Sequence, residues 1–338
     1  MTDTILYDSA MRLFGDLVTQ EVSADAERGV WPEAPWRAVE EAGYPDVLAK
    51  GAGGMAEAAT ILRAAGHHAA PIPLAETMLA RWLCAVCGVD APAGALTIGP
   101  VEPEDRLDIA QAAVSGHADY IPWGREAAAV VLIAGNTMLV VAQAAITFTP
   151  GKNLAGEPRD HIGAVEPGGR STPLPDAIDV RLVQRFGALF RAAQMAGAME
   201  AALALSTRYA NDRVQFGRPI AKFQAVQQQL ALLAEQAAAA SVAVESAAIA
   251  VAADRPSAAL AVAAAKIRAG EAAGKVAELA HQVHGAIGFT HEHSLHRLTR
   301  RLWSWRDEFG TESHWSRELG RTVMAAGADT LWPTITAG

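Results

Sequence analysis

The stretch from Thr207 to Gln236 constrains the fold most, because it predicts the end of one long helix, a short break and the start of another. It reads TRYANDRVQFGRPIAKFQAVQQQLALLAEQ. The first helical run ends near Asp212, and the second begins at about Ala221. Gly217 and Pro219 mark the break, since glycine permits unusual backbone angles and proline has no N–H to continue a helix.

The break also carries groups that suit an anionic, aromatic ligand. Arg213, Gln215 and Arg218 lie beside the helix ends, where free backbone amides and a guanidinium together bind phosphate well. Phe216 and Phe223 add flat apolar surface. Charge, amide hydrogen bonds and stacking in one place indicate a dinucleotide cofactor. The alternative is structural, because an arginine between two helices is more often a solvated or ion-paired surface residue.

Composition predicts a mainly helical protein of two or three domains. Hydrophobic residues make up 51% of the 338 residues and aromatic residues only 6%, so alanine, the best helix former, supplies much of the apolar content. The formal net charge of −9 argues against nucleic acid and against an anionic membrane surface as the main partner. Local positive charge, as around Arg213, then has to bind any anionic ligand.

The N-terminus, the apolar runs and the cysteines of the chain favour a cytoplasmic location. The N-terminus, MTDTILYDSAMRLFGDL, is acidic and amphipathic and lacks the basic and apolar regions of a secretory signal. We expect no apolar run of the roughly 20 residues that span a bilayer, and therefore a cytoplasmic protein. Cys84 and Cys87 form a single C-x-x-C inside an apolar run, without the second pair of a structural zinc site, so we expect two buried thiols. His67 and His68 are expected at the surface.

The order of patterns divides the chain into three parts: 1–93, an N-terminal helical domain; 94–176, a shortened middle β domain; and 177–338, a C-terminal helical bundle. In the first part, helices are predicted near the N-terminus and over Trp31–Tyr44, Met55–Gly66 and Leu74–Cys87. In the second, Ala129–Ala134 and Thr137–Ala142 predict a hairpin around Gly135 and Asn136, and Ala145–Thr149 a further strand. In the third, helices are predicted to Asp212 and over Ala221–Ala253, Ala258–His284, His291 or Ser294 to Trp305, and Thr311–Ala325.

Two segments resemble a known family. RYANDRVQFGRPIAKFQAVQ is similar to the C-terminal helical domain of the acyl-CoA dehydrogenases, and HQVHGAIGFTHEHSLHRLTRR, from His281 to Arg301, resembles that family's later helix-turn motif. The resemblance implies a mainly α fold with a small β domain, in which an N-terminal helical domain, a middle β-barrel or sheet and a C-terminal four-helix bundle follow one another. It also implies FAD and the α,β-desaturation of an acyl-CoA thioester, in which a carboxylate takes the α-proton and the flavin takes the β-hydride.

The resemblance implies FAD contacts at nine positions: Arg213, Gln215, Phe216, Phe223, Gln224, Gln282, Gly285, Ala286 and Thr311. The first five form the loop that reaches the FAD diphosphate of a neighbouring subunit, and the next three form the turn that meets its adenosine end. Each position also has a structural interpretation. Gln282 suits a helix surface, Gly285 a helix C-cap and Thr311 a helix N-cap.

The catalytic carboxylate of the family is missing from its usual places. The position directly before the Gly-Thr of the last loop is Phe309, and the alternative position on the first bundle helix falls on Gly187 or Ala188. Asp307 and Glu308 lie one or two residues before the expected place and are weak candidates for the base. The alternative for both is a solvated acidic turn.

The middle domain also departs from the family. Full-length members hold the flavin ring with a Gly/Ser/Asp-rich segment and a Trp-containing strand, and Pro100 to Gln111 has neither. With these departures, the chain resembles the shorter subunit of the α2β2 heterotetramers in this superfamily. Those heterotetramers act on bulky CoA thioesters, such as steroid side chains, in actinobacteria. The resemblance then implies an acyl-CoA substrate and a longer acyl-CoA dehydrogenase-like partner that shares FAD with this chain.

Two other functions remain open on the sequence. The chain can be a catalytically silent structural subunit that binds no flavin. It can also be a metal-binding bundle, because histidines cluster around Glu292 and residues i and i+3 share a helix face; they are His281, His284, His291, His293 and His296. The family motif explains His284 and the glycine spacing without a metal, so no metal is predicted. The Trp-rich LWSW segment, Leu302–Trp305, favours helix packing or an interface over ligand stacking.

Overall fold

The computed structural model describes residues 4–51, 53–101, 105–110, 113–166 and 168–336. Its first part is helical, as predicted. The elements are α1 (Thr4–Leu17), α2 (Gln20–Glu27), α3 (Glu33–Glu41), two 3-10 turns (Tyr44–Asp46 and Leu48–Lys50), α4 (Gly54–His67) and α5 (Leu74–Val86). The sequence interpretation missed α2, whose N-cap is the Thr19 hydroxyl that accepts from the Val22 amide.

Close contact between α4 and the first bundle helix joins this part to the rest of the chain. The bundle helix, α6 (Val180–Asp212), crosses α4 at Gly66 and Gly197. A Cβ at Gly66 would lie 2.0 Å from the Gln194 carbonyl oxygen, and one at Gly197 would lie 1.8 Å from the Arg63 carbonyl oxygen. Only glycine allows the two backbones to approach this closely.

Within the residues that the structure describes, nine short strands lie between the two helical parts, and several of them were not predicted. They are β1 (Leu96–Gly99), β2 (Arg106–Ala110), β3 (Ala113–His117), β4 (Ile121–Pro122), β5 (Ala129–Ala134), β6 (Thr137–Ala142), β7 (Ile146–Thr149), β8 (Arg159–Val165) and β9 (Arg170–Pro173). The hairpin prediction is confirmed, since β5 pairs antiparallel with β6 around Gly135 at φ 56°. The missed strands are β1, β2, β3, β4, β8 and β9. β1 and β4 have only four and two residues, and polar residues interrupt the apolar pattern of the other four.

The strands form a four-stranded sheet in the order β1-β5-β6-β9, a three-stranded sheet in the order β4-β8-β7, and the β2–β3 pair. β1 pairs parallel with β5 in register Leu96 to Ala129, and the other pairings are antiparallel. A small core that includes Ile121, Leu132 and Leu139 fills the space between the sheets. Part of the Pro100–Gln111 segment, residues 102–104 and 111, lies outside the described residues.

The last part is a bundle whose predicted helices are all found, with ends shifted by a few residues. After α6 come β10 (Val214–Gln215), β11 (Arg218–Pro219), α7 (Gln224–Ala252), α8 (Ala258–His284), α9 (Leu295–Trp305), α10 (Glu312–Ala326) and the unpredicted α11 (Ala328–Thr336). Short 3-10 turns at Ile220–Lys222 and Gly285–Phe289 precede α7 and follow α8. Buried alanines of α6, α7 and α8 form much of the core, which confirms that alanine carries the helix packing.

Helix α7 corrects the expectation about membrane spans. In the part of the chain that the structure describes, α7 is long and apolar enough to cross a membrane by length and composition. Core helices of helical bundles can have the same length and apolar composition, so a single helix of this kind is weak evidence for a membrane span. Seven α7 side chains, such as Leu233 and Val244, are buried against the neighbouring helices.

Two smaller expectations also need correction. His67 and His68 are half-buried rather than surface residues, and His67 Nδ1 and His68 Nε2 are buried without a hydrogen-bond partner in the described chain. Burial, and for His68 also the neighbouring His67, lowers the pKa of both rings, that of His68 to about 4. Of the two free thiols, Cys84 is buried as expected, but Cys87 is only partly buried.

Candidate functional site

The corner between α6 and α7 has the shape that its sequence indicated. Arg213 caps the C-terminus of α6, and its amide donates to the Tyr209 carbonyl at 2.8 Å. The chain then forms the β10–β11 hairpin, whose two turn residues, Phe216 and Gly217, both have positive φ angles of 52° and 79°. The Ile220 amide donates back to the Arg213 carbonyl at 2.8 Å. We call Arg213 to Gln224 the arginine corner.

The side chains of the arginine corner point outward. Arg213, Gln215 and Gln224 are exposed, and Phe216 is 92% exposed. Within the described residues Arg213 has no ion-pair partner. The Phe216 and Phe223 rings meet edge to face with centroids 6.1 Å apart, and the Arg218 guanidinium lies 4.3 Å from the Phe223 centroid. The corner therefore presents one free guanidinium and one nearly bare aromatic ring.

The structure brings the second motif next to this corner. The Tyr209 ring stacks on the His284 ring with centroids 4.7 Å apart, which holds the C-terminal ends of α6 and α8 together. Gly285 caps α8 with φ 63°, as its structural interpretation predicted. Gln282, Gly285 and Ala286 are exposed on this end of the bundle. Two segments about 70 residues apart in sequence thus form one surface, as the family motifs imply.

Thr311 lies elsewhere. Its hydroxyl accepts from the His314 amide and caps α10, which confirms the N-cap interpretation. Lys266 Nζ donates to the Arg306 and Gly310 carbonyls at 2.6 and 2.7 Å and so fixes the loop before Thr311 to the middle of α8. Since a helix rises 1.5 Å per residue, this loop lies roughly 25 Å along α8 from Gln282. Thr311 and the arginine corner are therefore separate sites on one chain.

No carboxylate occupies the two positions where the family places its base. Phe309 is 2% exposed, and its ring packs on Gly187 of α6. A Cβ at Gly187 would lie 2.2 Å from Phe309 Cδ1, so the two sequence positions are neighbours in space. Ala188 beside them is fully buried. This place is closed by apolar groups and cannot take a proton from a substrate.

Glu308 corrects the expectation of a solvated acidic turn. The side chain is buried, and its oxygens accept from Arg159 Nε at 2.8 Å and Nη2 at 3.0 Å and from Arg191 Nε at 2.7 Å. Burial alone would raise the pKa of Glu308, but the charges of Arg159 and Arg191 outweigh burial and lower it to about 2. Both oxygens are committed, so Glu308 does not offer a free base.

Glu308 belongs to a larger buried network that balances three carboxylates with three guanidiniums. Its charged members are Glu76, Glu157, Arg159, Arg191, Arg301 and Glu308. They come from α5, β8 and the segment before it, α6, α9 and the loop after α9. Asn153, Gln194 and the Trp305 indole N–H add hydrogen bonds. We call this set the ion-pair network.

Sequence reasoning missed the ion-pair network. Its members lie far apart in the chain, and each alone is typical of a surface residue. One signal was available: Arg191 stands inside the apolar run ALFRAAQMAG, and Glu76 inside PIPLAETML. A charge in the middle of a fully apolar helix face indicates a buried partner.

A cleft of about 620 Å³ opens between the strands and α9, beside the ion-pair network. Tyr120 and Trp303 supply aromatic surface, and Asp307 lies on its wall. Asp307 is exposed, and partial burial raises the pKa of its carboxyl above the ordinary value despite Arg306 nearby. Its role as a base stays a prediction.

The histidine cluster is explained by ring contacts. His284 stacks on Tyr209 and meets His293 edge to face at 4.6 Å, and His281 stacks on Phe289 at 4.2 Å. Among the described residues there is no group of three or more His, Cys, Asp or Glu side chains arranged to hold a metal ion.

Comparison with known proteins agrees with this geometry. The profile of the acyl-CoA dehydrogenase C-terminal domain matches residues 185–319. The chain is 33% identical over 295 residues to the acyl-CoA dehydrogenase IpdE2 of Mycobacterium tuberculosis, a match that covers 82% of each chain. It is 30% identical over 313 residues to IpdE2 of Mycolicibacterium smegmatis, covering 85% of this chain and 91% of that protein.

Solved structures share the fold. A steroid acyl-CoA dehydrogenase variant, Tcur3481-Tcur3483, superimposes with a TM-score of 0.83 at 24% identity, covering 96% of this chain and 98% of that one. The ChsE4-ChsE5 complex from Mycobacterium tuberculosis gives 0.82 at 22% identity, covering 96% and 97%. Glutaryl-coenzyme A dehydrogenase in complex with glutaryl-CoA gives 0.82 at 19%, covering 96% and 95%. The predicted fold class is therefore confirmed.

Proposed function

The chain belongs to the acyl-CoA dehydrogenase family of oxidoreductases, and from that premise we propose that it is the shorter subunit of a FAD-dependent acyl-CoA dehydrogenase that works with an unlike, longer partner. The observation that carries the proposal is the arginine corner. In the described chain the Arg213 guanidinium faces outward without an ion-pair partner and Phe216 is 92% exposed, whereas the chain's own base positions are closed by Phe309 and Gly187.

The residues present fit the diphosphate and adenosine end of FAD. Arg213 offers an unpaired guanidinium for the diphosphate, and charge-assisted hydrogen bonds to phosphate are among the strong ones. Gln215, Phe216, Phe223 and Gln224 surround it. On the adjoining turn, Gln282, Gly285 and Ala286 are exposed beside it. Gly285 at φ 63° has no Cβ to hold a ligand away from the backbone.

Bound FAD supplies the hydride acceptor for the oxidation of the acyl-CoA. Arg213 and the adjoining turn of Gln282 to Ala286 would hold and orient the cofactor. Phe309 closes the usual base position and the oxygens of Glu308 are paired with arginines, so neither residue removes the α-proton, and Asp307 stays the weak candidate of this chain. The partner subunit supplies that base in our proposal. Thr311 lies far along α8 from the arginine corner. Its predicted cofactor contact would therefore be to a second FAD molecule and not to the one at the arginine corner.

The substrate and assembly are inferred from the similar proteins. The names of two similar structures, Tcur3481-Tcur3483 and the ChsE4-ChsE5 complex, each pair two different chains. The first of them is named a steroid acyl-CoA dehydrogenase. By analogy we propose an α2β2 heterotetramer that desaturates a bulky, steroid-like acyl-CoA in the cytoplasm. The division into domains 1–93, 94–176 and 177–338 belongs to the same proposal.

A second candidate function is a structural subunit that binds no flavin. The ion-pair network favours it, because it fills the space between α5, α6 and the loop after α9 with paired charges. In that case the arginine corner contacts only the partner protein.

The test is to co-express this chain with each longer acyl-CoA dehydrogenase homologue of the same genome, to purify any complex that forms, and to record the visible absorption of flavin. We expect flavin in the complex. Arg213→Ala should lower FAD affinity roughly tenfold to a hundredfold, since a hydrogen bond to a charged group is worth about 1.5–3 kcal/mol. Arg255→Ala is the matched control, because Arg255 is also exposed and lies in the loop before α8.

Two results would contradict the proposal. Full flavin content and dehydrogenase activity of the partner in the absence of this chain would establish the structural subunit. Equal FAD affinity of the wild-type and Arg213→Ala complexes would show that the arginine corner does not hold the cofactor.

A further inference from the structure

Two histidine rings join the C-terminal ends of α6 and α8 to the N-terminus of α9. The His284 ring of α8 stacks on Tyr209 of α6 with centroids 4.7 Å apart, and it meets the His293 ring edge to face at 4.6 Å. His293 lies two residues before Leu295, where α9 begins. His284 is buried and His293 is half-buried. We call the segment from His281 to His296 the histidine turn.

The hydrogen bonds of the histidine turn fix where each of the two rings carries its proton. His284 Nδ1 donates to the Ala280 carbonyl at 2.8 Å, because a carbonyl oxygen can only accept. His293 Nδ1 is in the opposite state, since it accepts from the Leu295 amide at 3.2 Å. His284 Nε2 is buried, with no hydrogen-bond partner among the described residues. His293 is therefore neutral in this arrangement, and His284 has no acceptor for a second proton.

A second proton on either ring breaks this arrangement. On His293 the proton binds Nδ1, so its N–H faces the Leu295 N–H and the hydrogen bond between them is lost. On His284 it creates a buried N–H without an acceptor, and an unsatisfied buried donor costs free energy. The two cations would also be in contact, with ring centroids 4.6 Å apart, and like charges repel at that distance.

The charged neighbours of the two rings also oppose protonation. Arg208 on α6 and His296 on α9 disfavour the charged form of His293, and His281 disfavours that of His284. Burial adds to these charges, so the pKa of both rings lies below its ordinary value. The other charged or titratable groups of the surrounding elements are Glu27 of α2, Tyr209 of α6, Glu278 of α8, His291 and Glu292 of the loop, and Arg297 of α9. Glu27 favours a charged histidine, and it acts on His296.

The histidine turn connects this chemistry to the exposed end of the bundle. The stack of Tyr209 on His284 holds the turn against the end of α6, and Arg213 caps that helix. If the rings separate, the turn and the arginine corner lose the contact that sets their relative position.

We propose that the histidine turn is an acid-sensitive switch, in which protonation of His284 and His293 separates the ends of α6, α8 and α9 and weakens ligand binding at the arginine corner. The part of this inference that concerns the cofactor rests on the proposed function, whereas the opening of the turn does not. An exposed histidine has an ordinary pKa near 6.5. Each ring that takes up a proton on opening therefore disfavours the closed turn by up to about tenfold between pH 7.5 and pH 5.5.

Two measurements test the switch. Hydrogen–deuterium exchange of the full chain alone, corrected for the intrinsic effect of pH, follows the amides of residues 285–295. Fluorescence titration of the purified complex with FAD, after its flavin is removed, follows the cofactor. From pH 7.5 to pH 5.5 we expect faster exchange in this segment and an FAD affinity lower by roughly tenfold to a hundredfold.

The variant His284→Phe/His293→Asn keeps the contacts of the turn without titrating. Phenylalanine stacks on Tyr209, and the asparagine side-chain oxygen accepts from the Leu295 amide as Nδ1 does. This variant should lose most of the pH dependence of both measurements, and His293→Asn alone should lose about half of it on a logarithmic scale, as one of two protons. His117→Asn is the control, because it removes an exposed histidine of β3 and should keep the full pH dependence.

Equal pH dependence of the wild type and His293→Asn would overturn the switch, and this single variant decides if the double variant does not fold. Exchange in residues 285–295 that does not rise at pH 5.5 in the wild type would overturn it too, and the proposed function stands if that complex still binds FAD. If the wild-type complex binds no flavin, but its exchange rises at pH 5.5 and the variants suppress the rise, the proposed function fails and the switch stands.

Discussion

At Glu308, two guanidiniums keep a buried carboxylate ionised. Arg159 and Arg191 contribute three hydrogen bonds of 2.7–3.0 Å to its oxygens. The neighbouring Asp307 is exposed and forms only a loose contact with Arg306 at 4.0 Å. Of these two adjacent acidic residues, Glu308 is buried and Asp307 is exposed, because their side chains point in different directions.

Neutralising Glu308 should destabilise the fold. In Glu308→Gln, Arg159 and Arg191 lose a shared buried counter-charge, and breaking a buried ion pair costs about 3–5 kcal/mol. Asp307→Asn, the matched control, should change the free energy of unfolding by less than about 0.5 kcal/mol because it lies at the surface. Urea unfolding followed by circular dichroism measures both. Equal stability of the two variants would contradict the burial of Glu308.

The stability of the protein should fall as the pH is lowered from about 6.5 to about 4. The pKa of His68 is about 4 in the folded protein, and the unfolded chain has the ordinary value near 6.5. Between these values the unfolded chain binds a proton that the folded protein does not, so the protein loses stability as the pH falls. The pKa values of His67, His281, His284, His293 and His296 are lowered too, in the same direction.

His68→Gln tests this at one site. Unfolding free energies measured from pH 7 to pH 4.5 should depend less steeply on pH in this variant, by up to about 1.4 kcal/mol per pH unit, the value for one proton. His117→Gln is the control for the loss of an exposed histidine. An unchanged slope in His68→Gln would show that the pKa of His68 is the same in the folded protein and in the unfolded chain.

At the scale of elements, the crossing of α4 and α6 depends on two glycines. The backbones of the two helices meet at Gly66 and Gly197, and each helix is buried on the side that faces the other. This contact connects the first helical part directly to the bundle, without the strands between them.

Gly197→Ala should separate the helices. The added Cβ would lie 1.8 Å from the Arg63 carbonyl, so α4 has to move, and overpacking of this kind costs about 1–3 kcal/mol. Gly320→Ala on α10 is the matched control, since a Cβ there meets nothing within 4 Å. It should stabilise the helix by about 0.5–1 kcal/mol. Thermal unfolding of the two variants should therefore shift in opposite directions, and a shared direction would contradict the close crossing.

At the scale of the whole molecule, the ion-pair network joins all three parts of the chain. Glu308 accepts hydrogen bonds from Arg159 of β8 and Arg191 of α6, and Arg191 also donates to Glu76 of α5. If one of the three parts unfolded alone, it would leave an unpaired charge in the parts that stay folded. The helical parts and the strands are therefore coupled in stability.

We expect one cooperative unfolding transition for the isolated chain. Far-ultraviolet circular dichroism, which follows the helices, should give the same midpoint as fluorescence of the tryptophans, which include Trp123 beside the strands and Trp305 in the network. In Glu157→Gln, which removes the partner of Arg159 and Arg301, the midpoint should fall for both signals. Two separated transitions in the wild type would show that the parts unfold independently.

The sequence by itself determined most of the helices, although not α2 and α11, together with the β5–β6 hairpin, the family and the arginine corner. These depend on local periodicity, turn residues and short motifs, which lie within one stretch of chain. Only the tertiary structure decided that Phe309 packs on Gly187, that Glu308 is paired with arginines, and that Phe289 stacks on His281. The physical reason is that each of these contacts joins side chains from separate elements, and periodicity reveals that a face is buried without revealing which face covers it.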